Sequence, residues 1–333
     1  MKYFMSSFFV AIIGFLLSLY IGGISALYIT MLLSVLEVSM SFDNAVVNAK
    51  VLETMEPKWQ KRFILFGMPI AVFGMRFIFP IIIVAISSHL GIYETYDLAI
   101  NNPIKYHSVL ESAHPIIYAF GGAFLLMVFL DFLFDTEKDE TWIKIIEKSK
   151  VVSKFSEIEN IKLIIAIFMG LLLTSLTSSS AVAMAYFSGL FLHSIIGLLD
   201  DILGTDGIRS GIMGLLYLEV LDASFSFDGV IGAFALSSNI FIIMIGLGIG
   251  AMFVRSLTLY LVEKKTLTEY RYLEHGAHYA ILALSIIMFI KMFIDINEII
   301  VGTIGIFFIA LATYQSIVEN TADNKVAYQK KGE

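Results

Sequence analysis

Residues 36–46 read Leu-Glu-Val-Ser-Met-Ser-Phe-Asp-Asn-Ala-Val, and residues 218–230 read Leu-Glu-Val-Leu-Asp-Ala-Ser-Phe-Ser-Phe-Asp-Gly-Val. Each stretch has Leu-Glu-Val followed by Ser-Phe-Asp. The last Asp lies six residues after another acid, which is Glu37 in the first copy and Asp222 in the second. Acids are rare inside apolar segments, yet hydrophobic residues flank both copies. The pattern therefore indicates an internal repeat that carries charge into hydrophobic helices.

The sequence behind each copy is repeated as well. A hydrophobic segment with an embedded arginine comes next, reading Phe-Gly-Met-Arg at residues 73–76 and Met-Phe-Val-Arg at residues 252–255. A further apolar segment carries a Gly-Ala pair, at residues 122–123 in the first half and 276–277 in the second. Three matching elements in the same order predict a chain built from two related halves.

The composition is that of a membrane protein. The 333 residues are 58% hydrophobic and 15% charged, and apolar runs recur along most of the chain. Because the backbone must satisfy its own hydrogen bonds in lipid, each apolar run of roughly 17 to 25 residues is a candidate helix. This predicts an all-α, polytopic membrane helix bundle of about ten transmembrane helices. We place them at 4–21, 24–49, 62–88, 115–134, 162–176, 181–199, 209–236, 239–262, 276–294 and 298–316.

The distribution of basic residues orients these helices. Basic residues concentrate in four segments, 50–62, 138–162, 264–271 and 325–331. The four segments share one side of the membrane only if 162–199 crosses it twice, and both termini are then cytoplasmic. A single bent span over 162–199 remains an alternative, because serines and threonines interrupt the apolar pattern at residues 174–180.

The two-crossing topology also divides the chain. It gives a first repeat with an N-terminal helix at 1–134, a cytoplasmic linker at 135–161, a second repeat with flanking helices at 162–317 and a cytoplasmic tail at 318–333. The first Ser-Phe-Asp helix then runs inward and the second runs outward, so the halves form an inverted repeat. Inverted repeats are the usual scaffold of secondary transporters, with the ion site where the halves meet.

The polar residues of each copy share one face of a helix, since steps of three and four residues return to nearly the same side. The two faces comprise Glu37, Ser41, Asn44 and Asn48 with Asp43 at the edge, and Glu219, Asp222 and Ser226 with Asp228. Each ionised acid near the bilayer centre costs on the order of 3 kcal/mol, so the five acids require compensation by a cation, an arginine or water.

Two interpretations of that compensation stay open. Carboxylates with Ser and Asn oxygens suit a hard divalent cation such as Mn²⁺, Mg²⁺ or Ca²⁺, and the chain has no Cys that could supply a thiolate. Alternatively, the acids belong to a structural ion-pair network. In that network Arg76 would pair with an acid such as Asp43. Arg255 would likewise pair with Asp228.

Nothing in the sequence marks an enzyme. It contains no Gly-rich phosphate loop, no His-Glu-x-x-His helix and no Gly-x-Ser-x-Gly elbow. Glu274, His275 and His278 have the spacing of metal ligands, but they stand at the end of a span, where interfacial polar residues are common. We interpret these three residues as structural, and we expect no catalytic residues, no permanent cofactor and no nucleic-acid partner.

The two motifs also carry a family resemblance. Residues 41–44 (Ser-Phe-Asp-Asn) and 226–229 (Ser-Phe-Asp-Gly), with the arginine segments behind them, resemble the TerC family of integral membrane proteins. Residues 219–229 and 272–278 are similar to an uncharacterised bacterial branch of that superfamily. The broader group resembles LysE-type transporters, which are built from inverted helical repeats. The resemblance covers roughly residues 24–294.

This resemblance implies export of Mn²⁺ or a related divalent cation across the bacterial inner membrane. Carried over by motif, the implied ion-site residues are Asp43, Asn44, Asp222 and Asp228, with Glu37 and Glu219 as neighbours. We expect alternating access with proton exchange, Ca²⁺ or Mg²⁺ as alternative cargo, and contact with lipid; a homo-oligomer is left open. Other readings are a membrane accessory protein that aids metalation or insertion of exported proteins, and, third, an intramembrane hydrolase with paired aspartates.

Overall fold

The computed structural model describes residues 2–88, 90–136, 138, 140–158, 160–203, 211–234, 236–237 and 239–331. For some of these residues, among them 226–228 and 322–331, it describes the backbone only. The described chain is predominantly helical and contains no strand. The predicted all-α class is therefore confirmed.

Besides a short 3-10 helix (Lys2–Phe4), the described part of the chain contains sixteen α-helices and one π-helical segment. They are α1 (Met5–Met40), α2 (Phe42–Glu53), α3 (Pro57–Pro69), the π-helical segment (Ile70–Ile78), α4 (Phe79–Ser88), α5 (Ile92–Asn101), α6 (Pro103–Ser112), α7 (His114–Leu133), α8 (Lys144–Glu147), α9 (Lys150–Ser156), α10 (Ile161–Thr177), α11 (Ser180–Leu203), α12 (Gly211–Phe234), α13 (Ile240–Glu263), α14 (Thr266–Glu269), α15 (Leu273–Lys291) and α16 (Glu298–Lys331).

Helix α1 is a hairpin rather than one straight rod. The Thr30 hydroxyl donates to the Ser18 hydroxyl at 2.7 Å, although twelve residues of straight helix would separate them by about 18 Å. The reversal occurs at Gly22 and Gly23, and Gly23 has φ 66° and ψ −157°. That backbone conformation is essentially restricted to glycine. The glycine pair thus separates the predicted segments 4–21 and 24–49.

Helix α13 packs against both legs of this hairpin. In the first leg, Ser7 donates to the carbonyl of Met252 at 2.9 Å. In the second leg, Ser34 donates to the carbonyl of Gly246 at 3.0 Å. A Cβ atom on Gly246 would lie 2.6 Å from the Cβ of Leu33, so the absent side chain permits the close approach. Small residues allow helices to pack this tightly within membranes.

The segment 162–199 forms two helices that fold back on each other. Helices α10 and α11 are separated near Ser178, which has a positive φ of 50°. The Tyr186 hydroxyl of α11 donates to the carbonyl of Ala166 in α10 at 2.7 Å. A continuous helix would place residues with this spacing about 30 Å apart, so α10 and α11 form an antiparallel hairpin.

Several described helices have the length and hydropathy of membrane spans. Six meet both requirements, and they are α1, α7, α11, α13, α15 and Ile300–Thr321 within α16. The chain is therefore a helical membrane protein. Other predicted spans fall on broken or more polar helices, such as the three consecutive segments over 57–88. The number of ten crossings remains a prediction.

The loops contain more helix than the spans alone predict. Short helices α5 and α6 lie between the predicted spans 62–88 and 115–134, and α8 and α9 lie in the predicted linker at 135–161. Helix α16 does not end at residue 316 but continues to Lys331. The predicted tail therefore extends the last helix over most of its length.

Candidate functional site

The two Ser-Phe-Asp helices lie side by side and run in opposite directions. As residue numbers rise along α1 and α2, the residues that they contact in α12 have falling numbers, which shows that the helices are antiparallel. In order, the contacts join Glu37 with Gly229, Asn44 with Asp222, and Met55 with Gly214. The two copies of the motif are thus brought face to face, with the hydrogen bond from Asn44 Nδ2 to Asp222 Oδ1, 2.7 Å long, at the middle of the interface.

A break at Ser41 separates α1 from α2 inside the first motif. The Ser41 hydroxyl donates to Glu37 Oε1 at 3.1 Å. The backbone N–H of Asn44, in the first turn of α2, donates to Asp43 Oδ1 at 2.9 Å. Because a new helix start leaves backbone N–H groups without intrahelical acceptors, the break supplies a donor to the acid beside it.

Arg76 lies between acids of the two halves. Its Nη2 contacts Glu37 Oε1 at 2.5 Å, and its Nη1 contacts Asp222 Oδ2 at 3.2 Å. The π-helical segment Ile70–Ile78 presents this arginine, and its side chain is only 1% exposed. π-Helical turns occur frequently at functional sites. The arginine therefore bridges the first motif to the second.

Arg255 has a related but looser arrangement. Its Nη2 is 3.6 Å from Glu219 Oε1, which is an ion pair but too long for a hydrogen bond. Its Nη1 donates to the carbonyl of Phe63 at 2.8 Å, and its guanidinium lies 4.0 Å from the centre of the Phe63 ring. Each embedded arginine therefore pairs with the glutamate of its own half. In the ion-pair alternative, the described partners of Arg76 are thus Glu37 and Asp222 rather than Asp43.

Buried oxygens without donors concentrate between α2 and α12. Oδ1 of Asn44, Oδ1 of Asn48 and both carboxylate oxygens of Glu219 accept no hydrogen bond from any described residue. Asn48 and Asp222 also line a cavity of about 10 Å³ beside Arg255, roughly the space of one water molecule. Buried polar atoms are nearly always paired, so this group indicates a place for a water or an ion.

Asp43 is placed apart from these oxygens. Its Oδ2 faces α16, where a Cβ atom on Gly305 would lie 3.2 Å away. A second cavity of about 10 Å³ lies beside it, lined by Phe225 and Leu284 among other apolar residues. Asp43 is buried, with 5% of its surface exposed, yet no described basic side chain pairs with it. Adjacent residues in the sequence, Asp43 and Asn44, thus face different helices.

The second Ser-Phe-Asp is described only in its backbone, so the side chains of Ser226 and Asp228 lie outside the described residues. The neighbouring Gly229 comes close to the first motif, since a Cβ there would lie 3.0 Å from Glu37 Oε2. Within the described residues, no three His, Asp or Glu side chains are arranged to hold one metal ion. One shared carboxylate site for all the predicted residues therefore stays a prediction.

Comparison with known proteins identifies the family. A family model described as "Protein of unknown function (DUF475)" matches residues 42–323, which is most of the chain. The chain belongs to this family. The DUF475 chain matches no curated protein and no solved structure. The resemblance to the TerC family and to LysE-type transporters stays a prediction.

The structure adds residues of this DUF475 protein that sequence reasoning missed. Phe63 supplies a carbonyl and a ring to Arg255. Gly67 lies one turn later in α3, where a Cβ would come within 1.6 Å of Arg255 Nη1. In the sequence, a glycine one turn after a phenylalanine is only a weak signal of an arginine site. It can be recognised only when α3 is known to pack against the helix that carries the arginine.

The cluster Glu274, His275 and His278 is spread over separate contacts. Glu274 pairs with Lys50 at 2.8 Å. His275 Nδ1 lies 3.1 Å from Glu147, which belongs to the linker helix α8. Burial opposes ionisation of Glu147, but the His275 contact and a backbone N–H outweigh it and lower the pKa of Glu147. The contacts of His275 with Glu147 fasten the linker to α15, and the structural interpretation of this cluster stays a prediction.

Proposed function

We propose that this protein carries a divalent cation across the membrane, with Mn²⁺ as the first candidate. The observation that supports this most directly is the set of buried oxygens of Asn44, Asn48 and Glu219, which have no hydrogen-bond donor among the described residues. Amide and carboxylate oxygens are ligands for Mn²⁺, Mg²⁺ and Ca²⁺. A cation between α2 and α12 would receive ligands that no described residue pairs.

The balance of buried charge supports the same function. The two motif helices bury four described acids, Glu37, Asp43, Glu219 and Asp222, and two buried arginines pair with three of them. When all four acids are ionised, two negative charges are in excess among these described groups. Unpaired charge in a low-dielectric interior is unfavourable. A divalent cation carries the charge that would compensate for the excess.

Arg76 has a definite part in this proposal. It contacts Glu37 and Asp222 through its two terminal nitrogens, so the two acids share its single positive charge when no cargo is bound. Loading then requires Asp222 to exchange its contact with Arg76 for the cation, while Asn44 keeps the carboxylate in position through its 2.7 Å hydrogen bond. The arginine stays in the protein, so the bound divalent cation adds two positive charges to a site whose described acids outnumber its arginines by two.

The proposed transport is by alternating access between two halves. The antiparallel motif helices and the hairpins of α1 and α10–α11 support ten crossings, an inverted repeat and both termini in the cytoplasm. The relationship to TerC-like exporters and a location in a bacterial inner membrane belong to the same proposal. Proton exchange is the simplest coupling.

The first test is the metal content of cells with and without this protein. Export predicts that cells lacking it accumulate Mn²⁺ and become sensitive to added Mn²⁺, with restoration by the intact gene. Mg, Ca, Zn and Fe are measured in the same samples, which identifies the cargo if it is another metal. Unchanged content of every divalent metal would contradict transport and favour the accessory protein that aids metalation or insertion.

Replacing Asn48 by leucine tests whether Asn48 is a ligand of the cation or has only a structural role. The buried Oδ1 of Asn48 accepts no hydrogen bond from the described residues, so a leucine of similar shape should raise the free energy of unfolding by about 1 kcal/mol. The same change should weaken Mn²⁺ affinity by at least roughly tenfold. Thermal unfolding in detergent and Mn²⁺ uptake into vesicles measure the two effects.

Asn44→Leu is the matched control for this variant. It removes the hydrogen bond to Asp222, so we expect stability and Mn²⁺ uptake to fall together. If Asn48→Leu is more stable and still takes up Mn²⁺ with the affinity of the wild type, Asn48 is not a ligand of the transported cation.

A further inference from the structure

We propose that a cleft beside His278 is where a divalent transition-metal ion enters the protein, and that the His278 ring is its first protein ligand. The inference rests on the proposed function, and it deepens it by naming an access route and a basis for selectivity. The cleft would favour transition metals over Mg²⁺ and Ca²⁺.

The cleft opens among five helices. It has a volume of about 270 Å³ and lies between α2, α7, α11, α12 and α15. Its ionisable lining is mostly acidic, with Asp131, Asp135, Asp200, Glu274, His193 and His278 facing it together with Lys50. The lining lies beside the linker, on the side that the basic residues predict to be cytoplasmic. A cation leaving the cytoplasm would meet it first.

The His278 ring is held in an orientation suited to a metal. Its Nδ1 lies 2.8 Å from the carbonyl of Glu274, which can only accept, so Nδ1 carries the proton. In the neutral ring, Nε2 then keeps its lone pair. No described residue forms a hydrogen bond with Nε2. Phe132 stacks on the ring at 4.1 Å, and His278 is only 8% exposed. A histidine whose other N–H is fixed by a carbonyl is typical of metal ligands.

The acids around the cleft are engaged elsewhere, which makes the site weak. Glu274 contacts Lys50 at 2.8 Å. Asp131 contacts Lys162 at 2.9 Å and His193 at 3.1 Å. Since no three His, Asp or Glu side chains among the described residues can chelate one ion, the metal would keep most of its water. Weak binding is what a transport path requires, because the ion must leave again.

The cleft leads to the helices of the proposed ion site. Val47 and Val51 of α2 and Tyr217 of α12 line it. Asn48 follows Val47 in the chain, and Glu219 lies two residues after Tyr217. The cleft thus borders α2 and α12, the two helices that carry the unpaired oxygens.

The nitrogen ligand provides selectivity that the deeper oxygens lack. Amide and carboxylate oxygens accept Mg²⁺ and Ca²⁺ readily, whereas imidazole prefers transition metals. The affinity order expected at the cleft rises from Mn²⁺ through Fe²⁺ to Co²⁺. Co²⁺ is therefore a sensitive probe of this site.

The test is Co²⁺ binding to the purified full-length protein in detergent, which does not depend on transport. His278→Gln should raise the dissociation constant for Co²⁺ by at least roughly tenfold and leave Mg²⁺ binding unchanged. A second variant, Gly197→Leu, places a side chain in the cleft where a Cβ meets no atom within 4 Å, and it should weaken Co²⁺ binding without touching the ring. His107→Gln is the control. His107 lies on α6 and does not line the cleft, so this variant should bind Co²⁺ with the affinity of the wild type.

The outcomes separate this inference from the proposed transport. Equal Co²⁺ affinity in the wild type, His278→Gln and Gly197→Leu would overturn the cleft site. Loss of Co²⁺ binding in both variants supports the cleft site. If vesicles containing the wild type then take up no metal, the proposed transport fails while the cleft site stands. If vesicles take up Mn²⁺ and His278→Gln leaves both Co²⁺ binding and uptake unchanged, transport stands and the cleft inference falls.

Discussion

Replacing Arg76 by glutamine is expected to lower the free energy of unfolding by roughly 3 to 5 kcal/mol, because it leaves two buried carboxylates without their cation. Glu37 and Asp222 are 1% and 8% exposed in their side chains, so water cannot take over from the guanidinium. Thermal unfolding in detergent and the amount of protein in the membrane both measure this loss. A marginally stable membrane protein would be largely absent after such a change.

A second substitution tests whether charge is the cause. Adding Asp222→Asn to Arg76→Gln removes one of the stranded carboxylates, so part of the stability should return. Added Mn²⁺ should also stabilise the Arg76→Gln variant, because the ion can take the place of the guanidinium. Arg62→Gln is the control, since Arg62 stacks on Trp59 in α3 and does not contact the motif acids. An Arg76→Gln protein that unfolds at the wild-type temperature would contradict the bridging role of Arg76.

Replacing Gly67 by alanine should disrupt the second arginine almost as severely as a direct mutation. The new methyl would lie 1.6 Å from Arg255 Nη1 and 2.8 Å from Glu219 Oε1, so the guanidinium must move. Arg255 would then lose the carbonyl of Phe63, and Glu219 would lose its nearest positive charge. We expect a loss of roughly 3 kcal/mol in the free energy of unfolding, together with loss of Mn²⁺ uptake.

Gly74→Ala provides the comparison. Gly74 follows in the π-helical segment, and a methyl there meets Ile70 Cγ2 at an ordinary distance of 3.4 Å. Its effect should stay within about 1 kcal/mol. Similar unfolding temperatures for Gly67→Ala, Gly74→Ala and the wild type would show that Arg255 has no fixed position opposite Gly67.

Several of the helices could be predicted from the sequence. The span predicted at 115–134 is α7, His114–Leu133, and the span predicted at 239–262 is α13, Ile240–Glu263. Helix length in lipid follows the length of the apolar run, which is a local property of the chain. The division at Gly22 and Gly23 is local for the same reason, since the backbone conformation at Gly23 needs glycine.

The arrangement of the site could be predicted less well from the sequence. A uniform helix places Asp43 at the edge of the Glu37–Asn48 stripe, but the break at Ser41 begins a new helix, and Asp43 faces α16 instead. The choice of Glu37 and Asp222 as partners of Arg76 depends on the packing of three helices and on a π-helical segment. Periodicity along one helix contains no information about such pairings.

The packing of α13 against both legs of the α1 hairpin determines when this protein can finish folding during synthesis. Ser7 and its acceptor Met252 are 245 residues apart in the chain. At translation speeds of about 5 to 20 residues per second, the hairpin waits roughly 10 to 50 s in the membrane before α13 leaves the ribosome. During that time the polar face of the hairpin, including Glu37, is without its final neighbours. The first half of the chain made alone should therefore be recognised as incomplete by the cell's membrane proteases.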